Sequence, residues 1–399
     1  MEITPGIHRI ETPFGDRFVC LFLFVGSECS LLLDTGIDST PGEYLAPYLD
    51  EIGLAADKIR YVVNSHADFD HTAGNRSAKE LCPDALFMCH QLDLAQTEDI
   101  ELMISDRYGE YAQDHGIAAP DDASVVYIAI EAFKKPRGEL VWVNPRTYEV
   151  EHRLDIGPKP NQLACTPDGK WVYVPCNDGH YWVIDGESRK VVEKIKTGGR
   201  PHNTQASRDG RWMYLSPMGN PKRVTIVDVK AGHKVVGHIP FSNSVRPPAL
   251  SADNKRFFQN VDGLIGFEVA DIAKRKVVAR IEHKIPEKYA GKSSRCHGLA
   301  IRPDQKEIWS CNVEHQTVHI HDITDPSYPE IASIEMIGRI YWLCFSPDSK
   351  YAYLAVRSKK KVCVVDTASK KIVGYAEVGN TPKRNLVITL EAGEGKASK

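Results

Sequence analysis

From residue 1 to about residue 118 the chain alternates two kinds of apolar pattern. "FVCLFLFV", "CSLLLDTG" and "IRYVVNSH" are short, β-rich runs, whereas "TPGEYLAPYLDEIG", "NRSAKELCPD" and the long "QLDLAQTEDIELMISDRYGEYAQDHG" read as helices. This alternation predicts an α/β unit. From residue 119 onward the helical pattern disappears, and short β runs are separated by the turn clusters "PDGK", "RDGR", "ADNK", "PDQK" and "PDSK". The chain is therefore expected to be multidomain, with an α/β domain over 1–118 and an all-β repeat domain over 119–399.

The turns put the repeat in register. Asp122, Asp168, Asp209, Asp253, Asp304 and Asp348 recur at intervals of 46, 41, 44, 51 and 44 residues. Five positions after each stands an aromatic: Tyr127, Tyr173, Tyr214, Phe258, Trp309 and Tyr353. Two further β runs follow in each unit, as in "YWVIDG" then "KVVEKIKTGG", which makes four strands per repeat and predicts β-propeller blades. The pattern of "PDGK", an aromatic, "VID" and "KVVEKIKTGGRPH" resembles the YVTN-type β-propeller repeat over about residues 119–390. That resemblance implies an architecture and leaves function open.

Counting units gives six blades, with seven as the alternative because members of this family often have seven. The 51-residue interval holding "EHKIPEKYAGKSSRC" reads as a long loop. The first unit opens on what looks like its second strand, "VVYIAI", and the chain ends on a lone run, "RNLVITL"; pairing the two is expected to close the ring and remove both open edges.

Seven residues before each anchor stand Asn161, His202, Arg246, His297 and Tyr341, and the parallel "GNTPKRN" adds Lys383 or Arg384. These six polar positions are expected to ring one mouth of the central channel, where they could bind an anionic ligand, a cofactor or a metal. A solvated rim, normal for any propeller, explains the same residues.

In the α/β part, "NSHADFDHTAGN" (64–75) follows the β run "IRYVV" and packs two histidines and two aspartates between His66 and His71. Strand, motif and following helix resemble the metallo-β-lactamase-fold signature H-x-H-x-D-H over residues 1–118, and "LLLDTG" puts Asp34 in the place of that family's strand-end aspartate. The resemblance implies a tight loop after a buried strand in which His66 and Asp68 face one metal, and Asp70 and His71 a second about 3.5 to 4 Å away. Two departures stand out. Asp68 replaces the usual middle histidine, which moves preference from zinc toward manganese or iron. The second αβ half, which the resemblance implies should supply a histidine, a bridging aspartate and a last histidine, is not recognisable. Before the propeller only His90 and His115 remain, both expected on the surface or on a helix. A half-sandwich is also expected to expose an apolar face needing a partner: the propeller wall, a second copy (a homodimer) or a separate partner chain.

Composition narrows the classes. A formal net charge of -3 with both signs interspersed argues against a nucleic-acid or membrane-surface footprint, and the "KKK" run at 359–361 is assigned to a solvated turn. The N-terminus lacks a basic segment followed by an apolar run, so a cytoplasmic location is expected. Ten cysteines without a C-x-x-C pair, among them Cys20, Cys165, Cys344 and Cys363 in apolar runs, point to reduced core thiols. "TGGRPHN" is a blade-to-blade turn, no "G-x-S-x-G" is present, and Asp106, Glu110 and Asp114 read as a solvated helix face.

Three functions follow. The leading one is a metal-dependent hydrolase of an ester, lactone, thioester or phosphoester, in which a divalent metal pair (zinc, with manganese or iron as alternatives) activates water and Asp70 or Asp68 steers or accepts a proton. The second is a non-catalytic binding or scaffold protein that holds a small anionic molecule or cofactor at the propeller mouth. The third keeps the metal and makes it redox-active iron.

Overall fold

The computed structural model describes residues 1–14, 17–91, 93–98, 116–131 and 137–390. The chain forms two compact units, Met1–Tyr111 and Ala112–Lys399.

The first unit is built on a six-stranded sheet in sequence order: β1 (Glu2–Thr4), β2 (Ile7–Phe14), β3 (Arg17–Val25), β4 (Ser30–Leu33), β5 (Ile59–Val63) and β6 (Leu86–Met88). The first four pair antiparallel, while β5 and β6 add in parallel. The crossover into β5 contains a wide helical turn at Pro41–Leu45 that continues as α1 (Ala46–Glu51), and Gly53 in the left-handed region (φ +67°) ends it. Two helices, α2 (Phe69–Thr72) and α3 (Asn75–Leu81), occupy the connection to β6, and α4 (Leu94–Glu98) follows. Of the run 91–116 expected to be helical, Gly116 instead opens a strand of the second unit, and residues 99–115, with His115, Asp106, Glu110 and Asp114, lie outside the described residues.

Strand periodicity decides which side of this sheet is core. Val19, Leu21 and Leu23 of β3 turn to one face and are buried with Leu32, Ile59 and Val62 beneath Leu45, Leu49 and Cys82. The alternate positions turn to the other face. There Phe24 pairs with Leu31, Leu31 with Tyr61 and Tyr61 with Leu86, while Phe22, Leu33, Val63 and Met88 form the neighbouring row. Phe18, Phe24, Tyr61, Leu86 and Met88 on this face remain 37 to 63 % exposed. The apolar face expected of a half-sandwich is therefore present.

The second unit is a six-bladed β-propeller: six four-stranded antiparallel sheets, each a meander. Seven blades are thereby excluded in favour of six. The long interval is a loop that carries a short helical turn at Glu287–Tyr289. Each anchor aspartate organises the hairpin between the first two strands of its blade. The Asp348 carboxylate accepts the Ser346 hydroxyl (2.6 Å) and the Lys350 N–H (3.1 Å), and these bonds hold its pKa down to about 2. Ser207–Asp209–Arg211 and Ser251–Asp253–Lys255 repeat the arrangement.

The aromatics five residues later tie blade to blade. Tyr127 donates to the Gly169 carbonyl (2.9 Å) in the next blade's anchor turn, and Tyr214 donates to Asn254 Oδ1 (2.8 Å) in the one after its own. Five of the six are buried; Tyr353, in the last blade, is half-buried.

Closure differs from the expectation. The innermost strand of the first blade is β7 (Gly116–Ala118), which precedes "VVYIAI" and pairs with it antiparallel, and residues 378–390 form no strand. Three residues are too few to carry an alternation, which hides β7 in the sequence. Gly116 permits it, because a Cβ there would stand 2.1 Å from the Asn161 carbonyl oxygen. The C-terminal segment ties the last blade to the crossover between the first and second blades through side chains: Arg384 Nη2 donates to Asn161 Oδ1 (2.8 Å), and Asn385 Nδ2 to the Tyr353 carbonyl (2.8 Å). The pattern change near 118 thus falls inside the first blade, a little after the division at Tyr111.

Among the described residues no helix is long and apolar enough to cross a membrane. All ten cysteines are free thiols, and burial pushes Cys165 and Cys344 up to about 12 and Cys363 to about 11. The "KKK" run lies between the strands Tyr351–Val356 and Lys361–Asp366, with Lys359 and Lys360 exposed.

Three histidines are buried together where the fourth and fifth blades meet. The rings of His283 and His319 stack at 4.2 Å, and His321 lies 5.3 Å from His283. Burial depresses His283 well below the usual imidazole value, helped by the charges of His319 and His321; burial also lowers His321.

Two outcomes are expected. Tyr127→Phe deletes one interblade hydrogen bond and should cost about 1 kcal/mol, read as a lower propeller melting temperature in calorimetry. Acidification should also destabilise the propeller. His283 and His321 are neutral in both states above about 6.5; below it the unfolded chain takes up protons that the native state resists, so stability falls with pH toward their depressed native values. A melting temperature that is level from pH 7.5 to 5 would contradict this, and His283→Gln should flatten the slope.

Candidate metal centre

The site lies at the carboxyl ends of the parallel strands β4 and β5. Chain leaving β4 turns at Asp34, whose φ of +63° puts an aspartate in the left-handed region that Asp and Asn tolerate best. Its carboxylate is buried and fully engaged. Oδ1 accepts the Ser65 N–H at 2.8 Å, while Oδ2 accepts the Ser65 hydroxyl and meets His71 Nδ1, each at 2.8 Å. Burial alone would raise the Asp34 pKa; the hydrogen bonds from His71 and Ser65 outweigh it and hold the group below the ordinary carboxylate range. The same bond with Asp34 raises His71, against burial.

A second layer locks the loop from beneath. Asn64 and Asn75 exchange amide hydrogen bonds (Nδ2 to Oδ1, 3.1 and 2.9 Å), and Asn64 Nδ2 also reaches the His71 carbonyl (3.2 Å). Thr35 adds its N–H and hydroxyl to that carbonyl at 3.0 and 3.2 Å. Gly74 is obligatory, since a Cβ there would lie 2.2 Å from the Thr35 carbonyl oxygen. The sequence signal for these supports was the pair of asparagines bracketing the motif.

All four predicted ligands come together. The rings of His66 and His71 lie 4.1 Å apart. His66 Nε2 stands 3.2 Å from Asp68 Oδ2, and His71 Nε2 stands 3.7 Å from Asp70 Oδ2. Two donors bound tetrahedrally to one ion at about 2.1 Å each are separated by about 3.4 Å, so both pairs have the spacing of ligands sharing a cation. With Asp34 holding Nδ1 of His71, its Nε2 is the nitrogen turned to the site. Among the described residues, however, no group of three or more His, Cys, Asp or Glu is arranged to hold an ion. His90 is exposed just past β6.

The predicted ring is found at the starts of the propeller's inner strands. His202, Arg246, His297 and Tyr341 lie in Arg200–Ala206, Val245–Leu250, Cys296–Ile301 and Ile340–Phe345, and Asn161 directly precedes Ala164–Cys165. Both histidines are buried rather than presented to the mouth. His202 Nδ1 contacts Asn203 Oδ1, and His297 stacks on Tyr341 (3.8 Å between centroids). Arg246 is ion-paired to Asp262 (2.5 Å). Lys383 and Arg357 lie over the Tyr341 ring at 5.7 and 5.2 Å, and Arg384 over Trp342 at 5.0 Å. Arg357 and Asp262 were missed; each directly follows the second strand of its blade, a position the same register would have exposed.

A metallo-β-lactamase domain in the N-terminal region followed by a six-bladed propeller is thus what this chain contains: residues 15–162 match the metallo-beta-lactamase superfamily, the end of the match running into the first blade. No curated protein matches the chain. Solved structures similar to it include Kuenenia stuttgartiensis hydrazine synthase (21 % identity, 68 % of this chain and 88 % of that one, TM-score 0.59). Another is dihydro-heme d1 dehydrogenase NirN in complex with DHE (17 %, 67 % and 56 %, TM-score 0.53). At these identities the likeness is one of fold.

Asp34→Ala should destabilise the N-terminal unit by about 2–4 kcal/mol, because it strands the Ser65 and His71 donors and leaves alanine in the left-handed region. Asp34→Asn, which keeps the backbone preference and part of the bonding, should lose less. Chemical denaturation followed at the N-terminal unit tests the order.

Proposed function

We propose that the N-terminal domain works as a metal-dependent hydrolase, cleaving an ester, lactone, thioester or phosphoester in a small anionic molecule, with the propeller as its substrate or partner platform. One observation carries this reading: His66 with Asp68, and Asp70 with His71, stand at ligand-pair spacing beside a buried orienting carboxylate. Two divalent cations, one held by each of these pairs, would supply Lewis acidity and lower the pKa of water at the scissile bond. The chain itself supplies orientation and proton transfer. Asp34 fixes the tautomer and tilt of His71, and the partly open carboxylates of Asp68 and Asp70 are placed to receive a proton from the attacking water. Asp68 hardens the donor set, which brings manganese and iron into range beside zinc. Ten unpaired thiols suit a reducing, cytoplasmic setting.

Two other readings rest on particular observations. The absence of three converging donors among the described residues favours a non-catalytic binding platform. Asp68 in place of an imidazole favours redox-active iron.

Protein purified with zinc, manganese or ferrous ion should carry about two metals per chain and hydrolyse members of an ester, lactone and phosphoester panel. His66→Ala with Asp70→Ala should lose both metal and turnover. Unchanged turnover in that double variant would overturn the hydrolase, failure to retain any metal would leave the platform, and bound iron without hydrolysis would select the redox reading. Asp34→Asn should weaken metal affinity about 10- to 100-fold, measured by chelator competition.

A further inference from the structure

The open face of the first unit's sheet is an apolar surface too broad to be incidental. Phe18, Phe24, Tyr61, Leu86 and Met88 keep 63, 37, 40, 59 and 38 % of their surface exposed. At about 200 Å² for a large side chain, these five alone leave roughly 500 Å² of apolar area open, the size of the largest patch on a typical monomer. Phe22, Leu31, Leu33 and Val63 are half-buried on the same face and extend it, through the ladder register, from β3 to β6. That is already more than half of the roughly 800 Å² per partner of a standard stable interface.

We propose that this face is covered by the same face of a second copy, making the protein a homodimer through sheet-on-sheet packing. Width selects the occupant. From β2 to β6 the face spans five strands, about 20 Å across, whereas a docked helix is about 10 Å wide and an extended peptide narrower. A second sheet of equal width covers all of it at about 10 Å separation. Charge points the same way. On the ladder positions of this face the charged groups are Arg9 and Glu11 of β2, opposite Phe22 and Cys20, and they pair with each other. The paired positions of the face therefore carry no net charge, so a twofold axis brings no unbalanced charge of theirs together and a strongly charged partner would find little there to recognise.

Sedimentation velocity of the full chain from 1 to 50 μM should show a dimer. Phe24→Glu with Leu86→Glu should convert it to monomer while leaving the propeller melting transition unchanged. Because both side chains are already exposed, the N-terminal unit should remain folded, which far-UV circular dichroism and native proteolysis verify. A second variant, Tyr61→Arg, places like charges across the axis and should weaken association at least tenfold. A wild-type monomer at 50 μM would overturn the proposal, as would a dimer that survives both variants. Hydrolytic turnover is independent of this readout, so the two proposals fail separately.

Discussion

The N-terminal unit depends on one buried carboxylate. Asp34 remains ionised away from water only because Ser65 supplies two donors and His71 a third, and those donors sit on a loop 31 to 37 residues away in sequence. Parallel pairing of β4 with β5 brings the two ends side by side. The need to satisfy the charge then dictates the path of residues 64–71, and with it the side on which His66, Asp68, Asp70 and His71 emerge. The asparagine pair and Gly74 hold that path from below. A chemically capable loop is thus a consequence of solvating a single anion.

The propeller meets a different requirement, the disposal of open edges and interblade gaps. Each anchor aspartate turns its hairpin, and the buried aromatic that follows reaches the next blade's turn, so local turn chemistry and interblade contact come from one repeated motif. The ring is completed without a long shared strand. Beside the three-residue inner strand, the C-terminal segment ties the last blade to the crossover that leaves the first, through Arg384 and Asn385. The cost of such economy is a set of close backbone approaches, Gly116 against Asn161 among them.

The first unit also shows what a half-sandwich must solve. Helices cover one face of its sheet and pack Leu45 and Leu49 onto Leu21 and Leu32. The other face keeps the apolar alternation of a strand meant to be buried. The same period of two that made the core readable makes the uncovered side readable as well.

The sequence by itself determined the blade register, a count of six repeats with seven left open, the strand–loop–helix setting of the candidate motif and the four side chains that gather there. These are local facts: a period of two, a turn residue, a six-residue spacing. It did not determine β7, which is too short to show a period, nor that His202 and His297 are buried, nor that Asp262 pairs with Arg246 and Arg357 lies over Tyr341. It also could not distinguish two ligand pairs from a closed cage. Those features depend on which distant segments meet, and only the tertiary structure decides that, because burial and hydrogen-bond satisfaction are settled between chain segments rather than along them.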